Sequence, residues 1–219
     1  PVRRGGGICE RNRGMSDIDG LMQVAPVIPV LVIDDVAHAA PIAAALVAGG
    51  LRMLEVTMRT PVALDVMREM AKVEGAIVGA GTVLNPRDLD AALAAGAQFI
   101  VSPGLTEPLG RAAIASGVPF LPGVASAGDI MRGLDMGLDR FKFFPAETSG
   151  GLPALKALAG PFGAVRFCPT GGITLATAPA WLAHPAVRCV GGSWLVPAGV
   201  PDFAAITERA RAACGLRHG

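Results

Sequence analysis

The stretch Phe141-Lys142-Phe143-Phe144-Pro145 decides how this chain is read. Side chains alternate across a strand, so Phe141 and Phe143 share one face while Lys142 and Phe144 share the other. Both faces read as buried. Lys142 is out of place there, being one of three lysines, with Lys72 and Lys156 lying in unrelated contexts. Burial disfavours an ammonium ion and favours a neutral amine that can attack a carbonyl. Lys142 is therefore a candidate Schiff-base nucleophile. The competing reading is a strand-end lysine whose stem is buried and whose amine reaches water.

Outward from this strand the chain repeats one pattern, a short β-rich run followed by an Ala- and Leu-rich helical stretch. The strand candidates are residues 27–33, 53–57, 76–79, 99–102, 119–122, 140–144, 165–170 and 187–191. They recur roughly every 21 to 25 residues, as compact βα units do when their loops are short. The repetition predicts an α/β protein, a (β/α)8 TIM barrel, with an extra N-terminal helix over residues 16–23 closing its N-terminal face. A doubly wound open sheet is the runner-up, but no G-x-G-x-x-G follows the first strand. Asn85-Pro86 opens one helix and Gly96 closes it, and the stretch 37–46 ends at Gly49-Gly50. Residues 1–14 are Arg- and Gly-rich without apolar periodicity and are set aside as an N-terminal extension, leaving 15–219 as a single domain.

Composition narrows the function. With 52% hydrophobic and 17% charged residues, 219 residues can bury a sizeable core. The 19 basic and 18 acidic residues nearly cancel and form no basic stripe, so no nucleic-acid footprint is expected. Four cysteines (Cys9, Cys168, Cys189, Cys214) show no C-x-x-C spacing, and three histidines stand apart from them. Neither a zinc site, another metal centre nor a disulfide framework is expected. Apolar segments are broken by Gly or Pro well short of the roughly 20 residues of a membrane span. The expectation is a cytoplasmic protein with a small-molecule partner and no bound cofactor.

In a barrel of this kind the chemistry gathers at the C-terminal ends of the strands. Strand two ends Leu54-Glu55-Val56-Thr57-Met58-Arg59; with Leu54 and Val56 facing the helices, Glu55 and Thr57 point inward. Glu55 is then either the counter-ion of a buried cation or a proton shuttle for Lys142, and the two roles are compatible. Arg59 lies where a guanidinium can clamp a carboxylate, or is a surface arginine. Gly79-Ala80-Gly81-Thr82 lets a ligand approach the backbone, or is a plain turn. Two Gly-Gly pairs, Gly171-Gly172 after strand seven and Gly191-Gly192 before Ser193 after strand eight, lie where this fold cradles phosphate on backbone N–H groups. The ligand expected from these residues carries a carbonyl and a phosphate.

The segments Leu54-Glu55-Val56-Thr57-Met58-Arg59-Thr60, Gly79-Ala80-Gly81-Thr82-Val83-Leu84, Ser102-Pro103-Gly104, Phe141 to Glu147, Cys168-Pro169-Thr170-Gly171-Gly172-Ile173 and Gly191 to Val196 together resemble the 2-keto-3-deoxy-6-phosphogluconate aldolase family, in order, from about residue 26 to about residue 198. The resemblance implies that Lys142 forms the Schiff base and that Glu55 is the general acid/base. It also implies that Arg59 and Thr82 hold the pyruvate carboxylate, Pro103 and Phe144 line the pyruvate pocket, and Thr170 contacts the substrate chain. Gly171, Gly172, Gly192 and Ser193 would hold the phosphate. The implied reaction is metal-free cleavage of 2-dehydro-3-deoxy-6-phosphogluconate to pyruvate and glyceraldehyde 3-phosphate in the Entner-Doudoroff pathway, with 4-hydroxy-2-oxoglutarate as a second substrate and a homotrimer as the assembly. An aldolase for the epimeric 6-phosphogalactonate and a non-catalytic phosphosugar-binding barrel are the alternatives; Ser193 argues against the first by resemblance, and Lys142 with Glu55 against the second.

Overall fold

Runs rich in Val, Ile and Phe favour extended chain, and the Ala- and Leu-rich stretches between them favour helix, so the two alternate along the molecule. The computed structural model describes residues 17–216. The chain opens with α1 (Ile18–Met22), β1 (Val27–Leu31), a single 3-10 turn (Val36–His38), α2 (Ala39–Ala48), β2 (Met53–Thr57) and α3 (Ala63–Met70). It continues with β3 (Ile77–Gly81), α4 (Pro86–Ala94), β4 (Ile100–Val101), α5 (Glu107–Ser116), β5 (Phe120–Leu121), β6 (Gly123–Val124) and α6 (Ala127–Asp135). The last part holds β7 (Arg140–Phe143), α7 (Gly151–Ala159), β8 (Arg166–Pro169), α8 (Ala178–Leu182), β9 (Val190–Gly192) and α9 (Phe203–Cys214). The proposed extension over residues 1–14, Met15 and Ser16 lie outside the described residues.

All strand pairs among the described residues are parallel. One sheet runs β5-β4-β3-β2-β1-β9 and another β6-β7-β8. Bridges from Phe167 to Val187 and from Thr170 to Gly191 tie the edge of β8 to the chain around β9. At the opposite edge Pro122 alone separates β5 from β6. The fifth strand, expected as one run over residues 119–122, is thus two short pieces. Proline has no N–H to donate to a ladder, yet the Pro122 carbonyl still accepts the Lys142 backbone N–H at 2.8 Å. The result is a strongly curled parallel sheet covered by helices on its outer face. Other strand ends also differ from expectation, among them β1, which stops at Leu31, β3, which runs on to Gly81, and β9, which starts at Val190 rather than at residue 187.

Alternation splits the apolar side chains into two cores. Ile28, Met53, Ile77, Phe99, Leu121 and Cys168 point to the concave side and form one cluster. Leu54, Val56, Phe141, Phe143 and Phe167 point outward and join the helices in a much larger one. Leu21 and Met22 of α1 belong to the concave cluster, so this helix covers one end of it. Asp19 of α1 pairs with Arg140 and lies 3.6 Å from Arg188 Nε, which anchors the helix beneath the strands. Helix boundaries follow local chemistry. Asn85 Oδ1 accepts the Asp88 N–H at 2.9 Å ahead of Pro86, and Ser126 with Asp129 forms a reciprocal capping box on α6. Among the described residues no helix is long and apolar enough to cross a membrane.

Candidate active site

Alternation along β2 and β7 carries the central pair inward. Leu54 and Val56 pack among the helices while Glu55 and Thr57 turn to the concave side, and Lys142 turns there between Phe141 and Phe143. Lys142 Nζ donates to Glu55 Oε1 at 3.0 Å, with side chains 6% and 3% exposed. The alternative of a lysine snorkelling to water is thereby removed. Single charges are costly in such a place and are tolerated when paired. The Nζ also lies 5.3 Å from the centroid of the Phe144 ring, a second favourable contact for a cation.

The glycines of β3 have a different part from the one the sequence suggests. A Cβ on Gly81 would overlap the Glu55 carboxylate, and one on Gly79 would come within 2.5 Å of the Phe99 ring. Their missing side chains make room for protein groups, above all for the carboxylate that faces Lys142. Thr57 Oγ1 donates to the Leu31 carbonyl at 2.8 Å and ties β2 to β1 beside Glu55. Cys168 is the register partner of Lys142 in β8 and packs with Cys189 in the concave core. Burial pushes the Cys189 thiol well up, helped by its hydrogen bond with Cys168, so this thiol stays neutral beneath the site.

Above the pair, the strand ends form a mouth. Thr82 sits directly after β3 with φ +60°, the one non-glycine residue in the left-handed region among the described residues. Its hydroxyl accepts from Arg59 Nε at 3.3 Å, so the two residues that the resemblance assigns to a carboxylate lie side by side. Arg59, Phe144, Thr170, Gly171, Gly172 and Ser193 share the wall of one cavity of about 120 Å³. Gly171 (φ +106°) and Gly172 (φ +79°) are both left-handed, a backbone state that side chains resist and that turns N–H groups away from the regular ladder. Gly191 and Gly192 differ: they belong to β9 rather than to a turn after it. A Cβ on Gly191 would strike Thr170, and one on Gly192 would strike the Trp194 ring. Gly192 therefore makes room for Trp194 and does not line this cavity. Pro103 is half-buried with its carbonyl pressed against Gly123, the register partner of Lys142.

Other parts of the site escaped sequence reasoning. Val30 lines the mouth and also a neighbouring cavity of about 400 Å³ that reaches past Val32 and His38. Glu147 and Trp181 join across 34 positions of sequence, the indole N–H donating to Glu147 Oε1 at 3.1 Å. A lone glutamate after Phe144-Pro145-Ala146 gives no local signal of that partner. A larger cavity of about 520 Å³ between α5 and α6 holds none of these side chains. Among the described residues no three His, Cys, Asp or Glu side chains gather closely enough to hold a metal ion.

The parallel α/β sheet presses a lysine amine against a carboxylate below a glycine-lined mouth, an arrangement suited to attack on a carbonyl. The chain belongs to the KDPG and KHG aldolase family, which matches it over residues 18–209. The 2-dehydro-3-deoxy-phosphogluconate aldolase of Zymomonas mobilis is 62% identical over 203 residues, covering 93% of this chain and 98% of its own. The structure of the Zymomonas mobilis 2-keto-3-deoxy-6-phosphogluconate aldolase with 3-phosphoglycerate overlays with a TM-score of 0.92 at 61% identity, covering 94% of this chain and 98% of the other. That of KDPG aldolase from Legionella pneumophila, with pyruvate captured at low pH as a covalent carbinolamine intermediate, overlays at 0.88 with 44% identity, covering 91% and 98%.

Proposed function

We propose that this protein is a Schiff-base aldolase that cleaves 2-dehydro-3-deoxy-6-phosphogluconate to pyruvate and glyceraldehyde 3-phosphate, and also 4-hydroxy-2-oxoglutarate to pyruvate and glyoxylate. The observation that carries this reading is the buried Lys142–Glu55 pair, 3.0 Å apart, in a member of the KDPG and KHG aldolase family. Glu55 takes a proton from the Lys142 ammonium, the freed amine adds to the C2 carbonyl of the substrate, Glu55 passes protons to and from the carbinolamine, and water leaves to give the iminium. The iminium withdraws electrons from C3. Glu55, through water, then takes the C4 hydroxyl proton as the C3–C4 bond breaks, expelling the aldehyde and leaving an enamine. Protonation of the enamine at C3, assisted by Glu55, and hydrolysis return pyruvate and the free amine. The water released on imine formation is taken back at that last step.

The surrounding residues take parts along the substrate. Arg59 and Thr82 hold the carboxylate, a role supported by their mutual hydrogen bond at the strand ends. Pro103 and Phe144 flank the pyruvate carbons and Thr170 meets the chain. Gly171, Gly172 and Ser193 receive the phosphate, a role supported by the left-handed glycines in the shared cavity. Gly192 contributes by letting Trp194 close behind Ser193. Binding a remote phosphate supplies energy for holding the reacting bond in place. The curled sheet is read as a closed (β/α)8 barrel with α1 as its lower plug, supported by the bridges between β8 and the chain around β9. The assembly is read as a homotrimer and the compartment as the cytoplasm, both from family membership.

The decisive experiment is borohydride reduction in the presence of pyruvate, followed by peptide mapping. One pyruvate-derived mass on Lys142 is expected, and a label on Lys72 or Lys156 instead refutes the assignment.

A further inference from the structure

The loop after β7 lies directly against the glycines assigned to phosphate. Ala146 N–H donates to the Thr170 carbonyl at 2.8 Å and Glu147 N–H to the Gly171 carbonyl at 3.1 Å, so the segment leaving the Lys142 strand is laced to the one leaving β8. The Glu147 side chain completes the contact. A Cβ on Gly172 would come within 2.7 Å of Glu147 Cγ and 2.8 Å of its Cβ, which means that the glutamate stem occupies the side of Gly172 that a residue would otherwise fill. Gly172 is held in the left-handed region with that stem against it.

What fixes the glutamate is Trp181. This indole is 2% exposed, packs at 6.4 Å and 49° on Phe143, the neighbour of Lys142, and donates its N–H to Glu147 Oε1 at 3.1 Å. Trp181 is thus rigid, while Glu147 is otherwise an exposed side chain free to rotate. The bond also has an electrostatic sense. A carboxylate beside a phosphate repels it, and drawing one oxygen to the indole turns negative charge toward the protein. The chain of contacts runs from the imine-forming strand through Phe143, Trp181 and Glu147 to the backbone of Gly171 and Gly172.

We infer that Glu147, anchored by Trp181, is a positioning residue that holds the Gly171–Gly172 backbone in the shape that receives the substrate phosphate. The inference rests on the reading of those glycines as the phosphate cradle. It touches neither the reacting carbons nor the amine, so its effect belongs to phosphorylated substrate and to KM more than to kcat.

The test compares kcat/KM for 2-dehydro-3-deoxy-6-phosphogluconate with that for 4-hydroxy-2-oxoglutarate in Glu147→Ala, Glu147→Gln and Trp181→Phe, with Ser193→Asp as the control for the cradle. Loss of the anchor in Glu147→Ala and Trp181→Phe is expected to lower the ratio about tenfold, through KM of the phosphorylated substrate. Glu147→Gln keeps an acceptor oxygen for the indole and removes the charge, so its ratio should stay within about twofold of wild type or rise. If Glu147→Ala does not fold, Trp181→Phe removes the same bond while keeping most of the buried ring. A ratio unchanged in Glu147→Ala or, in its place, Trp181→Phe, beside a lowered one in Ser193→Asp, overturns the positioning role and leaves the cradle standing. A ratio unchanged in Ser193→Asp overturns the cradle itself. A fall in Glu147→Gln as large as in Glu147→Ala overturns the anchor, because charge rather than the acceptor would then be what matters.

Discussion

The two halves of this site are built from different materials. Around Lys142 the chemistry is carried by side chains, an amine and a carboxylate sealed in an apolar interior and aimed at one another by strand alternation. At the mouth it is carried by backbone, two left-handed glycines and a serine at the protein surface. A buried pair has few ways to move, so its geometry is set by packing. An exposed loop must be held by its neighbours. Substitutions in the interior should therefore strike the chemical step, while those at the mouth should discriminate between substrates.

The largest effect is expected in the interior. Glu55→Gln keeps the shape and removes the proton carrier, and turnover should fall by roughly 10²- to 10⁴-fold, with slower imine formation. Rates within about threefold of wild type would reduce Glu55 to a counter-ion. Next comes Gly81→Ala, whose Cβ would overlap the Glu55 carboxylate. Displacing a proton carrier by an ångström costs on the order of 10²-fold, so kcat should drop by about that much on both substrates alike. A selective loss on the phosphorylated substrate would contradict the division between the two halves.

Smaller and more selective is Ser193→Asp, which sets like charge against the phosphate. Its kcat/KM should fall about tenfold or more for the phosphorylated substrate relative to 4-hydroxy-2-oxoglutarate, and equal losses in a folded protein would place the phosphate elsewhere. The smallest effect is far from both halves. Ser126→Ala removes the α6 cap and should cost about 1 kcal/mol of stability with activity retained. Asp129 in the same capping box has its carboxyl held below the usual value: burial opposes ionisation, and hydrogen bonds from Ser126, Ala125 and Arg132 outweigh it. A depressed carboxyl stabilises the fold above its unfolded value and loses that contribution as pH falls through the folded one. Wild type and Ser126→Ala should therefore differ most above about pH 4 and converge in more acid solution, which thermal melts at a series of pH values would show.

How much of this was legible beforehand differs between the halves for the same reason. Strand alternation reads Glu55 and Lys142 as inward residues from their neighbours alone, since Leu54 and Val56, or Phe141 and Phe143, need a core on the other face. The βα rhythm likewise announces a parallel α/β sheet. The fifth strand is not legible as two pieces, because the break at Pro122 depends on which carbonyls and N–H groups the neighbouring strands present. Gly79, Gly81 and Gly192 read as places for a ligand, yet each accommodates a protein side chain, Phe99 from just before β4 and Glu55 from β2 in the first two cases and Trp194, two residues on, in the third.

By itself, then, the sequence determines which residues can do chemistry and which face they take, because both follow from residue type and a two-residue period. It also determines the succession of strands and helices through apolar runs, caps and glycines. Only the tertiary structure decides the distances: that the Glu55 carboxylate meets the Lys142 amine 87 positions away, that Gly81 leaves space for it, and that Trp181 reaches Glu147. These are contacts between residues remote in sequence, and their geometry is set by the curl of the sheet and the packing of helices on it, which no local pattern encodes.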